Sequence, residues 1–301
     1  MVRRKNSPKL PLTRSTGSMA KAAPLPPAPL VPSRRTTILF GLALVAILSF
    51  LSLGLQWGQL LPHGGGVEIA GNFFAAAVQP AFTYENSEYL PADAPAFLVK
   101  VGLALWRTLL YAVAAISLAL VLGAVFGVLA SEGFWQGRRG GFAIRLVVRW
   151  FMAVLRSIHE LIWALLFLAA IGLSPAAAVM AIALPYGGTL AKVFAEMLDE
   201  SSPAAANAMH SLGARPLLVF LFGRLPRALA DIAAYAFYRF ECAVRSSAVL
   251  GFFGYTTLGL YIRQSFENLH YREVWAYLYA LLVLVLLLEA WSSQLRRRFV
   301  A

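Results

Sequence analysis

Residues 201–216 read Ser-Ser-Pro-Ala-Ala-Ala-Asn-Ala-Met-His-Ser-Leu-Gly-Ala-Arg-Pro, and residues 238–251 read Tyr-Arg-Phe-Glu-Cys-Ala-Val-Arg-Ser-Ser-Ala-Val-Leu-Gly. In the first segment Ser202 stands where a helix cap belongs and Pro203 in the first turn. Gly213 then ends that helix, because the end needs a left-handed residue and glycine adopts that backbone without strain. Pro216 opens a second short apolar helix, and Leu225-Pro226 starts the next long one. The expectation is a compact polar hairpin over 201–226. The second segment falls inside an apolar run at about 228–253 that is long enough to cross a membrane, so Arg239, Glu241 and Arg245 are charges within a span.

Composition widens that reading to the whole chain. Of 301 residues, 59% are hydrophobic and only 13% charged, too few polar side chains to wrap a soluble core. An integral membrane protein follows. The net charge of +12 is scattered among apolar blocks, without an aromatic-interleaved basic patch, which argues against nucleic acid as a partner. The single cysteine, Cys242, has no partner for an internal disulfide and falls in an apolar helix, where packing is its ordinary role.

In chain order, residues 1–36 form a tail rich in Pro, Ser, Ala, Lys and Arg, expected to be disordered and cytoplasmic. Apolar runs at about 38–56, 101–130, 150–171, 176–194, 228–253 and 274–292 predict six spans. From Gln56 to Val99 there is no Lys or Arg, while Glu68, Glu85, Glu88 and Asp93 occur, so this segment belongs outside. Its Gly64-Gly65-Gly66 run lacks the context of a phosphate loop and reads as a flexible turn. Lys and Arg gather in the tail, the 131–149 loop, the hairpin and the C-terminus. This puts both termini and the hairpin in the cytoplasm, with Arg263 and Arg272 outside. Gly123 and Gly127, one turn apart, predict close approach of another helix.

Charged groups also fall in the third span, where Arg156, His159 and Glu160 sit at i, i+3 and i+4 and so share one helical face. Glu241 and Arg245 are likewise four apart, with Tyr238 on their face and Arg239 pointing elsewhere. His159-Glu160 is no metalloprotease start, because Trp163 stands where the second His is needed. No Gly-x-Ser-x-Gly turn and no Walker A sequence occurs, so no catalytic residue, metal or cofactor is expected.

Two motifs carry a family resemblance. Ala208, Gly213 and Leu225-Pro226 fall at the spacing of the cytoplasmic loop of ABC-importer permeases: Glu-Ala-Ala, three residues, Gly, nine residues, Ile, one residue, Leu-Pro. Here Asn207 replaces the Glu, Met209 the second Ala and Gly223 the Ile. Tyr238 to Gly251 is similar to the Tyr-Arg-Phe-Glu-x-x-x-Arg-x-x-x-x-Leu-Gly segment of the permeases of phosphonate and phosphite importers. The following Phe253 to Gly259 keeps only Gly254 and Gly259 of that family's glycine-rich run. The resemblance extends from about Leu98 to the C-terminus.

It implies an all-α membrane protein, a six-span helical bundle of the type I importer permease class, in the bacterial inner membrane. It further implies a hairpin that docks a separate ABC ATPase subunit through Asn207, Ala208, Gly213, Leu225 and Pro226. Two ATPase subunits, a second permease chain and a periplasmic or lipoprotein binding protein would complete the machine. ATP would be bound and hydrolysed by the partner, leaving this chain non-enzymatic and without a cofactor. The substrate implied is a phosphonate, or a phosphite- or phosphate-like anion; another small solute carried by the same architecture is the alternative, and a membrane-embedded enzyme the most distant one. Arg239, Glu241, Arg245, Arg156 and Glu160 then either border the anion's path or gate, since guanidinium binds oxyanions well, or form structural pairs, Arg156 with Glu160 and Glu241 with Arg245.

Overall fold

The computed structural model describes residues 34–54, 64–86, 93–136 and 140–300, the last five without their side chains. The basic tail expected up to residue 36 lies outside these except for its last three residues, which are helical. Arg138, Arg139 and the side chains of Arg296, Arg297 and Arg298 also lie outside them. The chain divides into two units, residues 1–63 and 64–301. In the first, α1 (Arg34–Ser52) is an apolar helix of 19 residues. It rises about 28 Å, close to the roughly 30 Å of a bilayer's hydrocarbon layer.

The second unit contains α2 (Gly66–Ala76), α3 (Phe97–Ala130), α4 (Gly141–Ser157), α5 (Glu160–Ile171), α6 (Pro175–Glu200), α7 (Ala204–Ser211), α8 (Pro216–Leu218), a π-helical segment Val219–Arg224, α9 (Leu225–Val249), α10 (Leu258–Glu267) and α11 (Tyr271–Val300). Among the described residues α1, α3, α6 and α11 are long and apolar enough to cross a membrane, and the bent pair α4 and α5 is so too if its two halves count as one span. At 25 residues α9 has the length, but Arg227, Asp231, Arg239, Glu241 and Arg245 lower its hydropathy. Within this unit it packs on α3, α6 and α11.

The hub is α6, which touches α3, α4, α5 and α9. Its start is built locally: the Ser174 hydroxyl accepts from the Ala177 amide at 3.2 Å, and Pro175 fills the first turn. Lipid tails are as apolar as side chains, so helices associate in a membrane by close van der Waals approach. Gly123 and Gly127 of α3 allow it. A Cβ on Gly123 would sit 2.6 Å from Leu190 Cβ, and one on Gly127 2.9 Å from Phe194 Cβ.

Three expectations need correction. The third span is not one helix over 150–171: α4 stops at Ser157, α5 starts at Glu160, and the axes turn by 86°. Backbone groups freed at the break are satisfied nearby, as membrane depth requires. Ser157 Oγ donates to the Val154 carbonyl at 2.8 Å, and the Trp163 indole donates to the Leu155 carbonyl at 3.2 Å. His159 Nδ1 accepts from the Leu161 amide at 3.3 Å and so caps α5. Secondly, the Gly64–Gly66 turn leads into α2, and the chain after it is tied to α11. Trp275 donates to the Phe73 carbonyl at 2.6 Å, Tyr279 to the Ala77 carbonyl at 2.9 Å, and the Glu85 amide to Glu273 at 3.0 Å. Thirdly, the loop expected before the last span contains α10.

Candidate functional site

The hairpin begins with a difference. Pro203, not Ser202, is the N-cap of α7 and makes no side-chain bond; Ser202 offers its carbonyl to Arg227 Nη1 at 3.3 Å. The far end closes as a Schellman motif. The Ala214 amide donates to Met209 O at 3.1 Å, the Gly213 amide to His210 O at 3.0 Å, and Gly213 has φ 77°. Pro216 then opens α8, and the π-helical segment runs without interruption into Leu225 and Pro226. Gly223 explains one departure from the permease pattern: its Cβ would lie 3.0 Å from Ala206 Cα, so the Ile of that pattern has no room here. Asn207, Ala208, Gly213 and Pro226 are exposed, while Leu225 packs beside the root cluster of Leu198, Phe220 and Ala228. Leu212 is 87% exposed and Phe222 68%, so the hairpin presents an apolar surface beside Asn207.

Asp199, in the last turn of α6, ties the root together. Its carboxylate accepts from Ser131 Oγ at 2.7 Å, from the amides of Glu132 and Gly133 at 3.0 Å each, and from Arg149 Nη2 at 3.4 Å. The segment after α3 is thereby clamped to α6 and to α4. Arg224, the buried last residue of the π-helical segment, lies against the same segment, with its Cδ 2.9 Å from where a Gly133 Cβ would be. Residues 130–133 thus link the hairpin root to α4, through Asp199 and also directly, by the Arg145–Glu132 pair at 3.0 Å and the Arg149 Nε bond to the Ala130 carbonyl at 3.0 Å.

A polar strip runs along α9. Arg239 lies beside two aromatic rings, its guanidinium carbon 5.3 Å from the Tyr186 centroid and 5.5 Å from that of Tyr235. Such contacts contribute about 0.5–2 kcal/mol each. Its Nε donates to Tyr235 Oη at 3.0 Å. The terminal nitrogens have no protein partner among the described residues and remain able to grip an oxyanion in a fork. Beyond it, Ser246 Oγ donates to Glu160 Oε1 at 3.0 Å and therefore accepts the Tyr186 hydroxyl proton at 2.9 Å, having a single proton of its own. At the other end Tyr235 lines a cavity of about 740 Å³ with Tyr238, Asp231, Arg227 and Glu200 at the root of the hairpin. From Ser246 to Asp231 the strip covers about 22 Å of helix.

The structure separates several residues that the sequence grouped. Arg156 and Glu160 fall on opposite sides of the break; Arg156 lines a cavity with Arg149 and Lys192, while Glu160 joins the strip. Arg239 lies on the face of Tyr235 and Ser246, four and seven residues away, whereas Glu241 is buried. Arg245 is exposed and donates to Cys242 Sγ at 3.9 Å. Among the described ion pairs Arg156 with Glu160 does not occur; Glu160 instead has His159 Nε2 at 3.6 Å. Sequence reading missed Tyr186, Tyr235, Ser246 and Asp199. The Tyr235–Arg239 spacing of four was the one local signal for any of them.

The chain has relatives among known proteins. The chain is 35% identical over 153 residues to the phosphite transport system permease protein PtxC of Stutzerimonas stutzeri, covering 51% of this chain and 56% of that one. It is 28% identical over 218 residues to the phosphate-import permease protein PhnE of Mycolicibacterium smegmatis, covering 70% of this chain and 39% of that one. It thus spans about half the length of the curated relatives it matches. An inward-facing structure of the MetNI methionine ABC transporter superposes with a TM-score of 0.59 at 22% identity, over 67% of this chain and 97% of that one, a likeness of fold. The model of the binding-protein-dependent transport system inner membrane component matches residues 123–300, from the last quarter of α3 through α11, and to that family of multi-pass inner-membrane transport permeases this chain belongs.

Proposed function

We propose that the chain is the membrane-spanning subunit of an ATP-driven importer of a phosphonate, phosphite or phosphate-like anion. The observation that carries this is the ring-flanked guanidinium of Arg239, whose open fork faces a polar strip leading to the cavity beside the hairpin. Relatives described as phosphite and phosphate permeases support the choice of anion. The two tyrosine rings hold the fork in place, while its single committed bond, to Tyr235, leaves it able to release cargo.

The energy enters at the hairpin. Its exposed Asn207, Ala208, Leu212 and Phe222 suit a cleft on a separate ATP-binding subunit, and ATP-driven closure of two such subunits, each gripping one permease chain, alternates the strip between the two sides. A periplasmic or lipoprotein binding protein delivers the anion, and ATP is bound and hydrolysed by the partner. Both termini and the hairpin face the cytoplasm, and Glu160, Glu241 and Arg245 act at the path or its gate. The test is uptake of radiolabelled phosphite, phosphate and methylphosphonate by cells with and without this chain, and with Arg239→Gln and Arg239→Lys. Uptake of one anion should require the chain, disappear in Gln, and stay strongly reduced in Lys, which keeps the charge but loses the fork. Normal uptake by Arg239→Gln removes the proposal.

A further inference from the structure

At the groove between α4 and α6 lies a cavity of about 230 Å³, distinct from the α9 strip. Arg149, Arg156, Lys192 and Glu196 line it over a floor of Met152 and Ala195. Arg149 and Arg156 are seven residues apart on α4, hence two turns apart on one face, with buried Met152 between them against Ala191. Lys192 and Glu196 pair across one turn of α6 at 2.8 Å, and Arg149 reaches Asp199 at 3.4 Å. Arg156 has no hydrogen bond or ion pair among the described residues. Counting Asp199 behind Arg149, three cations face two carboxylates, and the uncompensated charge sits on Arg156.

Depth sharpens the point. The 26 residues of α6 rise about 39 Å, some 9 Å more than the hydrocarbon layer, and Lys192 is about 12 Å from its hairpin end. With that excess at the hairpin end, Lys192 starts about 3 Å inside the hydrocarbon boundary, where long cationic stems reach toward the headgroup layer. An uncompensated guanidinium there is costly without an anion. The space accommodates a tetrahedral oxyanion with bridging waters, each occupying about 30 Å³.

We propose that this cavity binds a phosphoryl oxyanion, with the Arg156 guanidinium as a bidentate donor and Lys192 exchanging Glu196 for the ligand as the second charge. Two sources share that chemistry: the phosphate of an anionic phospholipid headgroup, and a free phosphate or phosphonate. The test uses the full-length chain in lipid nanodiscs as wild type, Arg156→Gln, Arg156→Lys and Lys192→Gln. Calorimetric titration with inorganic phosphate and methylphosphonate, in nanodiscs of phosphatidylcholine alone, reads the free anion. Mass spectrometry of lipid retained after transfer from mixed phosphatidylglycerol and phosphatidylcholine nanodiscs reads the headgroup. Saturable binding is expected in one arm, weakened about tenfold or more by Arg156→Gln, in line with loss of charge-assisted hydrogen bonds, and less by Arg156→Lys. Should Arg156→Gln fail to fold, Lys192→Gln carries the same comparison. Binding in neither arm, or binding that Arg156→Gln and Lys192→Gln both retain, overturns the proposal. Neither arm uses ATP hydrolysis or uptake, so a negative result here leaves the importer reading standing, and the reverse also holds.

Discussion

Replacing Asp199 by Asn keeps the shape of the side chain but leaves it one acceptor oxygen and turns the other position into a donor. In the structure one carboxylate oxygen serves Ser131 Oγ and the Gly133 amide, and the other serves the Glu132 amide and Arg149. Whichever way the amide turns, two donors face an NH2 group. Hydrogen bonds to charged groups contribute about 1.5–3 kcal/mol each, but the Arg149 side chain is 46% exposed and its 3.4 Å contact counts for little. The remaining losses come to about 3 kcal/mol, roughly a hundredfold in the opening equilibrium of residues 131–133. Hydrogen exchange of the Glu132 and Gly133 amides in nanodiscs measures that equilibrium directly. Their protection should fall about a hundredfold, while amides in the middle of α6, around Ile182, remain as slow as in wild type. Asp199→Glu should restore part of it. Unchanged protection at both amides would refute the reasoning, because it would mean that the carboxylate does not hold this segment. If the clamp also carries hairpin motion to α4, uptake should fall in Asp199→Asn while ATP hydrolysis by the assembled complex persists.

Two further substitutions test other joints. Gly213→Val places a β-branched residue at φ 77° with open space around its Cβ, so the penalty is backbone strain of about 1–2 kcal/mol rather than a clash. The full complex should still assemble but hydrolyse ATP with little transport, and intact coupling would argue against a docking role for the hairpin. Gly123→Val would drive a side chain into Leu190, whose Cβ lies 2.6 Å from the new Cβ, and force α3 away from α6. Yield and thermal stability in detergent should drop sharply compared with Gly102→Val, where nothing lies within 4 Å; equal stability of the two would contradict the close packing.

Local chemistry was readable from the chain. The apolar runs, the Gly213 helix end, the Pro216 start and the Gly123–Gly127 contact face each depend on residues within a few positions, and periodicity or backbone preference specifies them. The break between α4 and α5 was not readable. Ile158, His159 and Glu160 include no Gly or Pro, and the helix ends there because His159, Ser157 and Trp163 can satisfy the freed backbone while Glu160 reaches α9. That choice is made by partners far away in sequence.

The same distance hid the arrangement of the charged groups. Spacing alone put Arg156 beside Glu160, because it assumed one unbroken helix, and it placed Arg239 away from Glu241 and Arg245 without saying what Arg239 would meet. Glu160 meets Ser246 across 86 positions, and Asp199 meets Ser131 across 68. The amino-acid sequence by itself determined a membrane-spanning helical chain with a polar hairpin, since hydropathy and capping act locally. Which charges share a cavity, which lie beside aromatic rings and which are clamped was decided only by tertiary packing, because a buried charge takes the partner that the fold brings to it rather than the nearest one along the chain.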